Sequence, residues 1–352
     1  MHILIVTDAW SPQVNGVVRT LQTTGAKLRE RGHKVSYITP EGRRNWPMPG
    51  YAEIELSFPG ARKLGAEIDA LKPDCIHIAT EGPLGWAARR ACLRRNIPFT
   101  TSFHTRFAEY ATARLPIPGV ASFFWSMLRR FHKHSQAVMT PSLTVSKVLE
   151  EHGFTNVKTW TRGVDHSIFK LWERDYFDLP KPIMLISGRV IMDKNIEAFL
   201  KLDLPGTKVV VGEGPDRKML EAKYKNTKFT GYLRETTYAR ALAAADVFVF
   251  PSLTDTFGLV MIEAMACGTP VAAFNVSSPI DVVEQNVTGA LDTDLCRAVA
   301  QALTLDRTKV HEAAKWFTWE RTAEMFESWL VPVNWPVASP EIEKKSPMVH
   351  TN

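Results

Sequence analysis

Short apolar runs alternate with helix-patterned segments through this chain, and they do so in two successive series. In the first half, residues 3–7, 35–39, 75–79, 99–103, 137–140 and 157–161 read as strands. Between the first two, residues 17–31 place Val18, Leu21, Gly25 and Leu28 on one helical face and stop at Gly32. A second series starts at Pro182, with strands expected over 183–187, 208–211, 228–231, 247–250 and 271–274. Strand–helix alternation predicts parallel strands, because a parallel pair needs a helix-length crossover, and helices then cover both sheet faces. The expectation is an α/β chain with one domain over 1–170 and another over 171–318, divided in the polar, Pro-containing stretch 171–181. Residues 319–335 read as a closing helix that returns to the first domain, and 336–352 lack any pattern and are expected to be disordered.

The charge is lopsided. Residues 1–170 carry 23 Lys+Arg against 13 Asp+Glu, a balance of +10, while the rest carry 20 against 24, a balance of −4. A basic half suits a phosphorylated substrate or an anionic membrane. No helix-turn-helix or stacking-aromatic motif supports nucleic acid. No basic leader precedes the first strand, and no stretch reaches the ~18–20 apolar residues of a spanning helix. Cys75, Cys92, Cys267 and Cys296 are scattered without metal-binding spacing and read as reduced core residues of a cytosolic protein.

The richest segment is SLTDTFGLVMIEAMACGTP, residues 252–270. Two carboxylates, Asp255 and Glu263, stand eight positions apart, with Phe257-Gly258-Leu259 between them at the start of an apolar helix-like run. A strand expected over 247–250 precedes it. Strand, polar loop and helix start is where α/β proteins hold phosphates, and the carboxylates would take hydroxyls nearby, so a nucleotide-sugar fits. Other strand ends carry the remaining candidates. The loop after strand one has no G-x-G-x-x-G; Gly16 opens the next helix and either admits a phosphate to the backbone or is simply a turn. Arg189 and Lys194 follow the first strand of the second series and suit a diphosphate leaving group. His104 ends the strand expected over 99–103 and suits a substrate contact. Gly212 and Gly214 suit a flat base or ribose against backbone, or an ordinary turn.

A different signal lies over residues 117–134. Phe124, Met127, Leu128 and Phe131 share a helical face that also bears Trp125 nearby, with Arg129, Arg130 and Lys133 beside it. Aromatic plus basic on one helix predicts a membrane-surface helix; a core helix with a charged back is the competing reading. The D-x-D at Asp292 and Asp294 is discounted as a metal site, because no second acidic cluster or His supports it.

These sites, in this order, resemble the retaining glycosyltransferases of family 4, which have the GT-B fold of two Rossmann-like domains facing across a cleft. The resemblance spans roughly residues 1–330 and is most specific at Gly16, His104, Arg189 with Lys194, and the 252–270 block. In the family that block is E-x7-E; here its first carboxylate is Asp255, one methylene shorter. The resemblance implies that the first domain takes the acceptor and the second the nucleotide-sugar donor. Glu263 would bind the ribose, Asp255 and the 257–259 backbone the sugar, and Arg189 and Lys194 the diphosphate, with Gly16 near the phosphates and His104 near the reacting carbon. It implies no cofactor and no metal. ATEGPLGWAARR, SFHTRFAEY, the RRFH segment and TRGVDHSIF look most like the lipid-glycosylating branch, which includes sulfoquinovosyl-, glucosyl- and glucuronosyl-diacylglycerol synthases. That branch implies transfer of glucose or glucuronic acid from a UDP-sugar to diacylglycerol on the inner, cytoplasmic face of a membrane, with Glu81 and Arg106 lining the acceptor side. The alternative keeps the fold with GDP-mannose as donor and phosphatidylinositol or a soluble acceptor.

Overall fold

The computed structural model describes residues 1–13, 15–48, 51–104 and 119–335. It contains β1 (His2–Val6), β2 (Lys34–Ile38), β3 (Asn45–Met48), β4 (Tyr51–Ser57), β5 (Cys75–Ile78), β6 (Thr100–Ser102), β7 (Val138–Thr140) and β8 (Val157–Thr159). The second series is β9 (Ile183–Ser187), β10 (Thr207–Val211), β11 (Thr227–Gly231), β12 (Val247–Phe250), β13 (Val271–Phe274) and β14 (Gly289–Asp292). Two six-stranded parallel sheets result, ordered β2-β1-β5-β6-β7-β8 and β11-β10-β9-β12-β13-β14. This is the two-domain α/β architecture that the alternation predicts. β14 and the antiparallel β3–β4 hairpin are additions to the expected strands.

Both faces of each sheet are buried, and the period-2 side-chain alternation assigns each residue its layer. Along β1, Ile3 and Ile5 meet Leu21 and Leu28 of the Gly16–Glu30 helix, while Leu4 and Val6 meet Leu64, Ile68 and Leu84 on the other side. In the second sheet Leu185, Val209 and Phe248 face Leu242 and Ile262, and Met184, Val210 and Val247 face Phe199 and Val299. Apolar runs without polar alternation are what such doubly covered strands require.

The Trp319–Ser328 helix lies on the first domain, where Ala323 and Phe326 join the core of Ile3, Ile5 and Trp160. Trp160 Nε1 donates to Thr322 O at 3.0 Å, and Arg31 pairs with Glu324 and Glu327. Beyond it Val333 N donates to Asp74 O at 2.7 Å and Trp335 Nε1 to Pro73 O at 2.8 Å. The patternless 336–352 lies outside the described residues.

Candidate active site

The carboxyl ends of the two sheets meet through polar contacts that cross between domains. Gly16 opens the helix after β1, and a β-carbon there would sit 3.4 Å from Leu259 Cδ1 of the second domain. A methyl there would make ordinary contact with that side chain, so Gly16 lies against the second domain. Asn15 caps the same helix, its side chain accepting Val17 N and Val18 N at 3.0 Å each. This loop is therefore a capped turn as well as a cleft wall.

One helical turn on, Arg19 forms an ion pair with Glu263, bridging the domains. Glu263 is almost fully buried on the Leu259–Ala266 helix. The carboxylate holds the Arg19 guanidinium above its ordinary pKa. Tyr238, half-buried beside this pair, gives or takes a hydrogen bond with Ser187 Oγ at 2.5 Å; desolvation and then Glu263 push its phenol well up.

Lys194 pairs with Asp255, so the second carboxylate also has a cation. Only Oδ1 is engaged. Asp255 Oδ2 is buried with no hydrogen-bond partner among the described residues, and so is Ser252 Oγ three residues earlier. Buried polar atoms are nearly always satisfied, so two orphans on one loop mark a place for a polar guest. Arg189 is exposed at the same strand end, just beyond β9. Of the 257–259 segment, the Phe257 ring is buried in the core against Phe317, which leaves its backbone to face a ligand; Gly258 and Leu259 begin the helix.

His104 stands where expected, just past β6, but its ring is occupied. Arg162 Nη2 lies 3.2 Å from His104 Nδ1, and Ser102 Oγ 2.8 Å from Nε2. A guanidinium only donates, so Nδ1 must accept and the imidazole is neutral, with its proton on Nε2 directed at Ser102. Burial, then Arg162 and His77, hold its pKa well below the ordinary value. Both ring nitrogens are thus engaged inside the protein, so a substrate contact by His104 would fall to the rest of the residue. Its carbonyl oxygen accepts the Thr256 hydroxyl at 2.9 Å, so it fixes the 252–258 loop instead. Arg162 itself has no acidic partner among the described residues; it donates to Trp160 O and Thr161 O, lies over the Trp160 ring, and burial lowers its pKa to about 9. A third crossing joins Thr144, at the start of the Leu143–Glu151 helix, to Asp281.

Several expectations need correction or narrowing. A β-carbon on Gly212 would sit 1.9 Å from Gly188 O, and on Gly214 2.2 Å from Val190 O. Backbone packing between neighbouring strand-end loops by itself requires glycine at both positions, as the ordinary-turn reading has it. The Val120–His132 helix turns Trp125 and Leu128 into a core with Phe103, Val138 and Leu149, and Phe131 into another beneath it. The strongest apolar face of this helix therefore covers β6 and β7 and does not face lipid. Phe124 and Met127 are half-buried, while Phe123, 66% exposed, Arg129, Arg130 and Lys133 are outside. Glu81 is buried with His132, whose Nε2 lies 3.3 Å from Oε1, so it is not an open acceptor contact. Arg106 lies outside the described residues. Asp294 caps the Leu295–Ala302 helix through Cys296 N, and Asp292 accepts from Arg297. All four thiols are free.

Sequence reasoning did not single out Arg19, Arg162 or Ser252. Arg162 stands in the quoted TRGVDHSIF run, a lone cation between a strand end and a glycine, and that was its only signal.

Two parallel-sheet domains with their carboxyl edges across one cleft define the GT-B class. Residues 14–168 match the model of Glycosyltransferase Family 4 and residues 182–305 that of Glycosyl transferases group 1. A GDP-mannose-dependent alpha-mannosyltransferase of Mycolicibacterium smegmatis is 31% identical, covering 83% of this chain and 84% of its own length. A sulfoquinovosyl transferase of Arabidopsis thaliana is 28% identical over 78% of this chain and 60% of its own. An alpha-monoglucosyldiacylglycerol synthase of Streptococcus pneumoniae is 26% identical over 86% and 78%. Among solved structures, sucrose-phosphate synthase from Thermosynechococcus elongatus has the same fold, with a TM-score of 0.72 at 21% identity over 93% of this chain and 97% of that one. The chain belongs to glycosyltransferase family 4 and is a glycosyltransferase.

Proposed function

We propose that this glycosyltransferase moves a hexose, glucose or glucuronic acid, from a UDP-sugar to diacylglycerol, with retention and without a metal, at the cytoplasmic face of a membrane. The observation that carries the sugar-nucleotide reading is the 252–258 loop. There Asp255 offers one oxygen to Lys194 and keeps another, buried and unpartnered, beside the orphan Ser252 Oγ. Sugar hydroxyls satisfy both. Glu263 takes the ribose hydroxyls, and Arg189 and Lys194 stabilise the diphosphate as the glycosyl–phosphate bond loosens. The acceptor hydroxyl attacks the oxocarbenium-like carbon from the face the diphosphate leaves, and the departing phosphate takes its proton. This route needs no covalent nucleophile, and the cations on Asp255 and Glu263 lower the nucleophilicity of both carboxylates.

Exposed Phe123 with Arg129, Arg130 and Lys133 on one helix supports a membrane surface, as do the names of the diacylglycerol-linked relatives. Among the described residues no helix is long and apolar enough to cross a membrane. A second reading, GDP-mannose as donor with phosphatidylinositol or a soluble acceptor, is favoured by the 31%-identical mannosyltransferase. One screen tests both: UDP-glucose, UDP-glucuronate and GDP-mannose against diacylglycerol, phosphatidylinositol and soluble acceptors, read by mass, with and without EDTA. A glycosyl-diacylglycerol from a UDP-sugar, formed equally in EDTA, is the expected result. Product from GDP-mannose alone replaces it with the second reading, and loss of product in EDTA overturns the metal-free mechanism.

A further inference from the structure

Glu263 is the residue assigned above to the donor's ribose, yet its buried carboxylate is already claimed by Arg19 from the opposite domain. The carboxylate has room for further donors, but Arg19 holds Oε1 and already neutralises the charge that an entering ribose would meet. We infer that Arg19 is a further donor-site residue, which exchanges Glu263 for the donor's diphosphate when a nucleotide enters. The inference rests on the ribose reading of Glu263.

Three observations place Arg19 for this exchange. Its helix begins at Gly16, which abuts Leu259 at the first turn of the donor-domain helix. Residues three apart share a helix face, so the Arg19 side chain lies over the wall that Gly16 forms. Its guanidinium rests over the Phe169 ring at 5.6 Å, a surface it can keep while turning from one anion to another. Its side chain is 40% exposed against 3% for Glu263, so the cation is the partner with room to move. The chemistry favours the trade. Ribose hydroxyls replace the guanidinium as donors to the carboxylate, and the released fork finds phosphate oxygens, to which arginine binds in bidentate fashion. The exchange also makes donor entry break one of the polar crossings between domains, others being Thr256 to His104 and Thr144 to Asp281.

The test compares nucleoside with nucleoside diphosphate on the full chain. Uridine and guanosine are titrated by ligand-observed NMR, and UDP and GDP by calorimetry at two salt concentrations, into wild type, Arg19→Met, Arg19→Lys and Glu263→Gln. Circular dichroism checks that each variant is folded. The inference expects Arg19→Met to bind the better diphosphate about tenfold more weakly or worse, with a shallower salt dependence. The matching nucleoside should bind as tightly as to wild type or more tightly. Arg19→Lys should recover part of the diphosphate affinity. Unchanged or stronger diphosphate binding by Arg19→Met overturns it, leaving Arg19 a mere competitor. An equal loss for nucleoside and diphosphate also overturns it. Glu263→Gln binding nucleoside like wild type would instead refute the ribose reading, whatever Arg19 does.

Discussion

Asp8, at the carboxyl end of β1, is a buried acid whose cost should be visible in the pH dependence of stability. Its carboxylate accepts Leu84 N at 2.8 Å, Gly85 N at 3.2 Å and the Thr80 hydroxyl at 2.9 Å, and so ties the first strand's end to the Pro83–Arg94 helix. Burial, with a smaller push from Glu81, outweighs these bonds and raises its pKa from 3.8 to about 6. Between roughly pH 4 and 6 the folded chain therefore holds a proton that the unfolded chain has released. The resulting stability is fully present below pH 4 and is lost as pH rises through 6. A gap of roughly two pH units is worth about 3 kcal/mol. Asp8→Asn cannot ionise, so its stability lacks this slope. Its amide still accepts one N–H, but the NH₂ group faces donors that now meet Oδ2, at a cost of ~1–3 kcal/mol that pH does not alter. The stability of Asp8→Asn relative to wild type should thus improve by about 3 kcal/mol from pH 4 to pH 7. Urea unfolding of both proteins at pH 4, 5, 6 and 7, followed by circular dichroism, measures it. A difference constant to within ~0.5 kcal/mol, or one that moves against Asn as pH rises, refutes the reasoning.

Other outcomes follow from single contacts. Lys194→Ala or Arg189→Ala should lower turnover about 10²-fold or more, the scale of one lost preorganised charge, and Lys194→Ala should also lower the melting temperature because it strands Asp255; near-normal kcat in either removes that residue from the diphosphate. Gly212→Ala should destabilise by ~2 kcal/mol or more, since its φ is +138° and the new methyl meets Gly188 O; an unchanged melting temperature would show that these loops separate freely. Ser278 is buried with φ +85°, and Ser278→Gly should raise stability by about 1 kcal/mol, read from the thermal midpoint. Replacing Arg129, Arg130 and Lys133 together by Gln should weaken flotation with anionic vesicles and leave neutral vesicles unaffected; equal flotation with both would take this face off the membrane.

What the sequence disclosed followed from burial. β9, β12 and β13 are covered on both faces, and the runs IMLIS, VFVF and VAAF show it within one residue. β14 reads GALD at a sheet edge, where a glycine and a half-buried aspartate leave no such run. The β3–β4 hairpin lies outside the main sheets, and its second strand, YAEIELS, alternates apolar residues with glutamates instead of forming an unbroken apolar run. The Val120–His132 helix shows a third limit. Helical spacing disclosed an aromatic face and a basic one, but an amphipathic stripe reads alike whether a sheet or a membrane covers it. Trp125 and Leu128 turned out to meet Phe103 and Val138.

The site was legible as residue types and strand ends, not as pairs. Cations and carboxylates spaced along the chain read as separate hands for a ligand. In the fold each carboxylate of the cleft already holds a partner: Glu263 holds Arg19 across 244 positions, Asp255 holds Lys194, and Asp281 holds Thr144. No local pattern discloses partners so far apart. The pairing changes what a mutation measures. Removing Arg19 or Lys194 also leaves a covered carboxylate without its cation, which costs far more than the pair itself contributes. A single alanine loss therefore mixes lost ligand contact with a stranded charge. Only a cycle that adds Glu263→Gln to Arg19→Met, or Asp255→Asn to Lys194→Met, separates the two. If the cleft binds by exchange, the double variants should bind nucleotide diphosphate more tightly than the sum of the single losses allows, because the second change removes the charge that the first had stranded.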